Sequence, residues 1–248
     1  MIPINVKSYE DPIFFEKKSI DKSDLINRFI VSQDYKFYLE IGLGYAETWN
    51  YIVCDNKVCI DPNPFTGNTY LDDELRSADP NSTWHIAGNE VGNLEPTYKM
   101  TSDEFFEKTE ISKWNFTFDI IYIDGDHAGD QVYKDAINSL NYLSSGGCLV
   151  LHDTGPATYI KEPSDNEGCG TAYKAWIKLR STIKGVSMMS YIFSSHDVVG
   201  IIHFDNPDKK YSIENKEYDD SWEFYKENTK EILNLKTYNE IIESLESI

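Results

Sequence analysis

Two apolar segments in the middle of the chain restrict the fold most. Phe118–Ile123, in which Asp119 is the one charged residue, is followed by Asp124, and Cys148–Leu151 is followed by His152 and Asp153. Apolar runs of this length without alternation are typical of strands buried on both faces, as in a parallel sheet covered by helices. The segment between them has helical periodicity, so the two runs predict a strand–helix–strand unit of an α/β fold. Ligands of such folds bind at the carboxyl ends of the strands, where these polar residues stand.

An earlier predicted strand ends in a glycine turn. Tyr38–Ile41, which contains Glu40, runs directly into Gly42 and Gly44. Glycine allows positive φ and lets the backbone approach a ligand closely, although two glycines also occur simply to keep a connection short. Asp61 stands about 20 residues after Glu40, at the end of the next apolar run, where an acid can bind both ribose hydroxyls of an adenosine. Together these residues predict a nucleoside-binding site.

The pattern differs from a dinucleotide fingerprint at one position. Glu47 stands where the third glycine of a GxGxxG motif is expected, and its carboxylate would repel a pyrophosphate. This disfavours NAD and FAD. A nicotinamide-dependent oxidoreductase remains one alternative function, and a non-catalytic binding module on the same fold is another.

Composition excludes some partners. The 248 residues carry a formal net charge of -19, which argues against nucleic acid or an anionic membrane surface as the main partner. No apolar run reaches transmembrane length and no secretory leader is recognisable, so we expect a cytoplasmic protein. The four cysteines show no metal-binding spacing.

The chain is expected to have three parts. Residues 1–35 form a helical extension, residues 36–204 form the α/β domain with a long polar loop at 62–96, and residues 205–248 form a helical tail. Within the domain, we predict a short strand at Tyr98–Met100, and the segments Val186–Phe193 and Val198–Phe204 predict an antiparallel hairpin. The aromatic and acidic tail offers a surface for a second copy, and the sequence leaves the oligomeric state open.

In this order, the segments resemble the class I S-adenosylmethionine-dependent methyltransferases. Glu40–Gly44 is similar to the family's first motif, and Asp61 is similar to its ribose-binding acid. Thr101–Asp103 stands where the family lines its adenine pocket, and Phe118–Asp124 is similar to the strand that ends beside the methyl donor. Ile123–His127 together with Leu151–Asp153 resembles a subgroup of small-molecule and sugar O-methyltransferases. The resemblance implies a Rossmann-like, doubly wound, seven-stranded and mostly parallel sheet with an antiparallel terminal hairpin.

The resemblance also implies site roles. Glu40, Gly42, Gly44, Asp61, Ser102, Asp103 and Asp124 are expected to bind S-adenosylmethionine, and the acceptor is expected to be a small-molecule or glycan hydroxyl.

In catechol-type enzymes of this kind, two carboxylates hold Mg²⁺ and a base follows three residues after the first. Asp124 and Asp153 match the carboxylates and His127 matches the base, whereas Thr154 stands where an amide ligand is expected. Simpler interpretations stay open: His127 as a helix cap, His152 as a core histidine, and Ser102 and Asp103 as a helix cap.

Overall fold

The computed structural model describes residues 22–44, 46, 48–63, 96–109, 113, 116–157, 161–165, 168–194 and 197–247. The predictions for Glu47, for residues 1–21 and for most of the 62–96 loop concern residues outside these ranges. None of the described helices is long and apolar enough to cross a membrane.

The described strands are short and alternate with helices in the first half of the chain. The strands are β1 Phe37–Ile41, β2 Asn56–Ile60, β3 Phe118–Ile123, β4 Leu143–Leu151, β5 Ile183–Lys184, β6 Val186–Ser194, β7 Asp197–Phe204 and β8 Ser212–Ile213. The α-helices are α1 Lys22–Ser32, α2 Ser102–Lys108, α3 Gly129–Leu140, α4 Ala172–Thr182, α5 Trp222–Leu233 and α6 Tyr238–Glu246, and a 3-10 turn covers Trp49–Tyr51.

Six strands form the main sheet, in the order β2-β1-β3-β4-β7-β6. The first four are parallel, whereas β7 pairs antiparallel with both β4 and β6. The strand order doubles back at β1, which is the feature of a doubly wound sheet that opens a ligand crevice at its carboxyl edge. The predicted α/β sheet, mostly parallel with an antiparallel terminal hairpin, is confirmed.

The predicted strand count of seven is wrong for the described residues. At Tyr98–Met100, where a short strand was expected, the chain makes only a single parallel bridge, from Tyr98 to Ile60. The Met100 N–H then donates to the Tyr98 carbonyl at 3.0 Å, a tight turn that leads straight into α2. Because this turn ends the extended backbone, the pairing cannot continue along the edge of the sheet.

Helices cover both faces of the main sheet. One face carries Leu39, Ile121 and Leu149, which pack with residues from α3, α4 and α5. The opposite face carries Tyr38 and Ile120, which pack with residues from α1 and α6. Parallel strands buried on both faces require apolar residues at successive positions, which explains the apolar runs in the sequence.

The two ends of the described chain share the core of the central sheet. Leu25, Ile26 and Phe29 of α1 and Ile241 of α6 are fully buried and belong to one cluster with the strands. The division into an extension at 1–35, a domain at 36–204 and a tail at 205–248 stays a prediction.

Candidate active site

Backbone ladders bring the polar strand ends to one edge of the sheet. The N–H groups of Gly42, Asp124 and His152 donate to the last carbonyls of the neighbouring strands at 2.9, 2.8 and 2.9 Å. These bonds extend the β1–β2, β1–β3 and β3–β4 pairings by one residue. A cavity of about 670 Å³ opens at this edge, and it is lined by the ends of β1, β2 and β3, by the first turn of α2 and by Lys22.

The two glycines of the turn have different surroundings. Gly42 has φ +92, and a Cβ added there would lie 2.1 Å from the carbonyl oxygen of Asp124. Gly44 has φ +49, and a Cβ added there would meet no atom within 4 Å. Gly42 therefore lets the turn close on the end of β3, whereas Gly44 keeps the cavity side of the turn open.

Asp61 holds the glycine turn in place. Its Oδ2 accepts hydrogen bonds from the N–H groups of Leu43 at 2.9 Å and Gly44 at 3.0 Å. Its Oδ1 accepts from Asn63 N–H at 2.7 Å. The carboxylate lines the cavity, and since a carboxylate offers about four acceptor sites, it can also accept from a ligand hydroxyl.

Glu40 is a buried acid at the end of β1. It is 2% exposed, and its Oε2 accepts a hydrogen bond from the Tyr38 hydroxyl at 2.6 Å. Burial raises the pKa of Glu40 to about 8, against the opposing effect of the Tyr38 hydrogen bond. Glu40 is therefore mostly protonated at neutral pH until a positive charge approaches it.

The first turn of α2 presents Ser102 and Asp103 to the cavity. The N-cap is Thr101, which forms a reciprocal capping box with Glu104, so the helix-cap interpretation of Ser102 and Asp103 is wrong. Gln131 Nε2 lies 3.3 Å from both Ser102 Oγ and Asp103 Oδ1 and thereby connects α2 to α3.

Two acids and two histidines form a closed ring that borders the cavity through Asp124 and His127. Asp124 Oδ1 lies 2.8 Å from His152 Nδ1 and 3.4 Å from His127 Nε2. Asp153 lies 3.3 Å from His127 Nδ1 through Oδ2, and 3.4 Å from His152 Nε2 through Oδ1. Each imidazole therefore lies between the two carboxylates. Asp124, His127 and His152 also form a group of possible metal ligands, with donor atoms within 4.8 Å of one another.

The acids and histidines of the ring have shifted pKa values. Although burial alone would raise it, the pKa of Asp124 is held well below its usual range, chiefly by His152 and His127. The hydrogen bond to Asp124, together with that to the Gly168 carbonyl, raises the pKa of His127. Burial raises the pKa of Asp153. The ring therefore favours one ionised carboxylate beside a readily protonated imidazole.

The simpler interpretations of the histidines are also decided by the contacts. His127 does not cap α3, because the N-cap is Ala128 and no side-chain hydrogen bond caps this helix. His127 instead donates through Nδ1 to the Gly168 carbonyl at 3.0 Å. His152 is mostly buried but faces the ring rather than the apolar core.

Several residues of the site were not predicted from the sequence. Lys22 Nζ lies 3.1 Å from His152 Nε2, and the hydroxyl of the buried Tyr122 donates to Asp124 Oδ2 at 2.9 Å. A lysine at the start of an amphipathic helix carries no sequence signal of a site, and Tyr122 is hidden within an apolar strand. Gly170 has φ +55 and packs against the backbone of His127, where a Cβ would lie 2.5 Å from its carbonyl oxygen.

One family model matches part of the chain. Residues 39–154 match the family model described as a methyltransferase domain. None of the curated proteins matches the chain. Among solved structures, cofactor-bound Rv0187 from MTB superposes with a TM-score of 0.50 and 9% identity, over 76% of this chain and 82% of that chain.

Two further solved structures superpose less closely. The O-methyltransferase TomG from Streptomyces achromogenes, in complex with SAM, has a TM-score of 0.48 and 12% identity, over 81% of this chain and 88% of that chain. The O-methyltransferase from Bacillus cereus, in complex with SAH, has a TM-score of 0.44 and 13% identity, over 84% and 89%. Residues 39–154 of this chain therefore resemble a methyltransferase domain, and the fold is shared with cofactor-bound Rv0187.

Proposed function

We propose that this chain is a class I S-adenosylmethionine-dependent methyltransferase that methylates a hydroxyl of a small molecule or a sugar. The observation that carries the proposal is the ring of Asp124, His127, His152 and Asp153, which borders the cavity through Asp124 and His127. A hydroxyl must lose its proton as it is methylated, and an imidazole between carboxylates is suited to accept that proton near neutral pH.

The rest of the cavity supports cofactor binding. When bound, S-adenosylmethionine supplies an electrophilic methyl group on a positively charged sulfur. Asp61 is proposed to accept hydrogen bonds from the ribose hydroxyls, and Ser102 and Asp103 are proposed to bind the adenine. Glu40 and the backbone of Gly42 and Gly44 are proposed to face the methionine part. All six of these residues line the same cavity.

The contacts of His127 define its proposed role as the base. Nδ1 faces the Gly168 carbonyl at 3.0 Å and Nε2 faces Asp124 Oδ1 at 3.4 Å, so the shorter contact favours the proton of neutral His127 on Nδ1. Nε2 is then the basic atom. In the proposed step the acceptor oxygen forms a bond to the methyl carbon, the carbon–sulfur bond breaks, and the hydroxyl proton moves to Nε2. Asp124 and Asp153 stabilise the imidazolium that results.

The magnesium ion expected from the catechol-type resemblance does not match the donor set. Mg²⁺ prefers oxygen ligands in near-octahedral geometry. Beside Asp124 and Asp153 stand two imidazoles, and the buried Thr154 hydroxyl donates instead to the Val198 carbonyl at 3.3 Å. Both oxygens of Asp124 already have partners in Tyr122 and the histidines. No step is therefore assigned to a metal ion.

The proposed function is tested by incubating the protein with methyl-labelled S-adenosylmethionine and a metabolite or glycan extract. We expect mass spectrometry to find a product with one labelled methyl group, and NMR to show that group on oxygen. His127→Asn should lower transfer by about 100-fold or more, since general bases typically contribute 10²–10⁴-fold. Asp126→Asn is the matched control, because Asn can also accept the hydrogen bond from Ala128.

The two alternative functions make different predictions. A nicotinamide-dependent oxidoreductase predicts that NADH binds and S-adenosylhomocysteine does not. A non-catalytic binding module predicts that His127 and Asp153 can be replaced without loss of any activity. Methyl transfer to nitrogen in the extract experiment would contradict the assignment of a hydroxyl acceptor.

A further inference from the structure

We propose that Lys22 is a further catalytic residue, whose ammonium group supplies at the acceptor hydroxyl the positive charge that a divalent cation supplies in catechol-type enzymes. This inference rests on the proposed methylation of a hydroxyl. It also accounts for the mismatch between the donor set and magnesium.

The position of the ammonium is the first argument. Lys22 Nζ lies 3.1 Å from His152 Nε2 and 3.8 Å from Asp124 Oδ2. The side chain is only 24% exposed and lines the cavity. It is therefore a fixed positive charge beside the ring, where the acceptor loses its proton.

The charge of the cavity is the second argument. Among the described residues that line it, Lys22 is the sole lysine or arginine. The acids that line the same cavity are Glu40, Asp61, Asp103, Asp124, Asp126 and Asp135. An oxygen that becomes negative in this surrounding would be destabilised unless a cation lies beside it, and Lys22 is the cation that the lining provides.

The rigidity of α1 is the third argument. Leu25, Ile26 and Phe29 of this helix are fully buried, so the helix is anchored against the sheet. The side chain of Asn27 adds two bonds to the backbone, from Nδ2 to the Tyr51 carbonyl at 2.7 Å and from Val53 N–H to Oδ1 at 2.9 Å. A charge on an anchored helix is preorganised, and preorganised charges contribute most to catalysis.

The step requires no additional reactant. As the oxygen–carbon bond forms and the carbon–sulfur bond breaks, the hydroxyl proton passes to His127 Nε2. A Lys22 N–H donates a hydrogen bond to the acceptor oxygen while negative charge develops on it. Lys22 keeps its own protons, so it is unchanged at the end of the step.

The assignment predicts that the ammonium and a divalent cation compete for the same carboxylates. Mn²⁺ alone is the probe, and its binding is measured by electron paramagnetic resonance without any turnover. We expect weak binding to the wild type and to Lys22→Arg, and binding to Lys22→Met that is at least about tenfold tighter, because a repelling charge within 4 Å of the site is removed. Lys36→Met is the control, since Lys36 lies at the opposite edge of the sheet, before β1, where it pairs with Asp34. Calorimetric titration with S-adenosylhomocysteine checks that each variant keeps its cofactor site.

Methyl transfer to the extract in excess chelator provides the second readout. We expect the wild type and Lys36→Met to keep their activity, Lys22→Met to lose about 100-fold or more, and Lys22→Arg to lose less, since electrostatic donors of this kind are typically worth 10²–10³-fold. Loss of wild-type activity in chelator with recovery on adding metal would overturn the proposal. Tight Mn²⁺ binding to the wild type that Lys22→Met does not improve would also overturn it. A wild type that transfers no methyl group to any hydroxyl would contradict the proposed function instead, and the Mn²⁺ comparison would still decide the assignment of Lys22.

Discussion

Gly42 and Gly44 stand two residues apart in one turn, yet a side chain would cost much more stability at Gly42 than at Gly44. Gly42→Ala would place a Cβ 2.1 Å from the Asp124 carbonyl oxygen, at φ +92. We expect it to lower the free energy of unfolding by about 2–5 kcal/mol, the sum of left-handed strain and overpacking. Gly44→Ala meets no atom within 4 Å and should cost only about 1–2 kcal/mol. Urea unfolding of both variants measures the difference, and equal losses would contradict the assigned surroundings.

Glu40 makes stability depend on pH. Burial raises its pKa in the folded protein to about 8, from an ordinary value of 4.5. Between these two pKa values the folded state binds a proton that the unfolded chain does not. The contribution of Glu40 to the free energy of unfolding is therefore complete below the unfolded pKa and is lost as the pH rises through about 8.

Unfolding in urea at about pH 6 and about pH 9 measures this contribution. We expect the free energy of unfolding of the wild type to fall by roughly 2 kcal/mol more than that of Glu40→Gln over this pH interval. The Gln side chain keeps the size of Glu40 but does not titrate. The same loss in both proteins would show that other groups cause the pH dependence.

Acidic residues at the ends of predicted strands were predictable from the sequence. Glu40, Asp61 and Asp124 directly follow or end apolar runs, and the structure brings them to one cavity. Lys22 was not predictable, because its contact with His152 joins residues 130 positions apart. Only the packing of α1 on the sheet creates that contact.

Helix α2 illustrates how an element presents a site. Its capping box joins Thr101 and Glu104 and does not engage Ser102 and Asp103, which line the cavity. We expect Thr101→Ala to lower the free energy of unfolding by about 1 kcal/mol. Thermal unfolding measures this loss. Ser102→Ala is the comparison, because it leaves the cap intact, and a larger loss of stability in Ser102→Ala would contradict the assignment of Thr101 as the cap.

Strands with apolar sequence and the terminal hairpin were predictable because burial on two faces and antiparallel pairing leave patterns in the chain. The seventh strand was not. The apolar character around Tyr98 indicates extended backbone, but the turn from Tyr98 to Met100 and the cap at Thr101 end it after one bridge. The short β5–β8 pair joins segments without periodicity and left no signal in the sequence.

At the scale of the whole molecule, one sheet edge gathers nearly all of the proposed chemistry. The carboxyl ends of β1, β2, β3 and β4 contribute a turn and several acids and histidines, and α1 and α2 contribute Lys22, Ser102 and Asp103. The net charge of -19 is consistent with this acidic cavity. The donor would occupy the side next to β2, and the acceptor would occupy the side next to β4.

Calorimetric titration with S-adenosylhomocysteine tests this two-sided account most directly. We expect the wild type to bind one equivalent and to show no binding of NADH. Asp61→Ala should abolish or greatly weaken binding, because it removes both the proposed ribose contact and the support of the glycine turn. Asp153→Asn should bind as the wild type does, since Asn tolerates the φ of +56 at this position and Asp153 belongs to the acceptor side. Unchanged affinity in Asp61→Ala, or NADH binding without S-adenosylhomocysteine binding, would contradict the account.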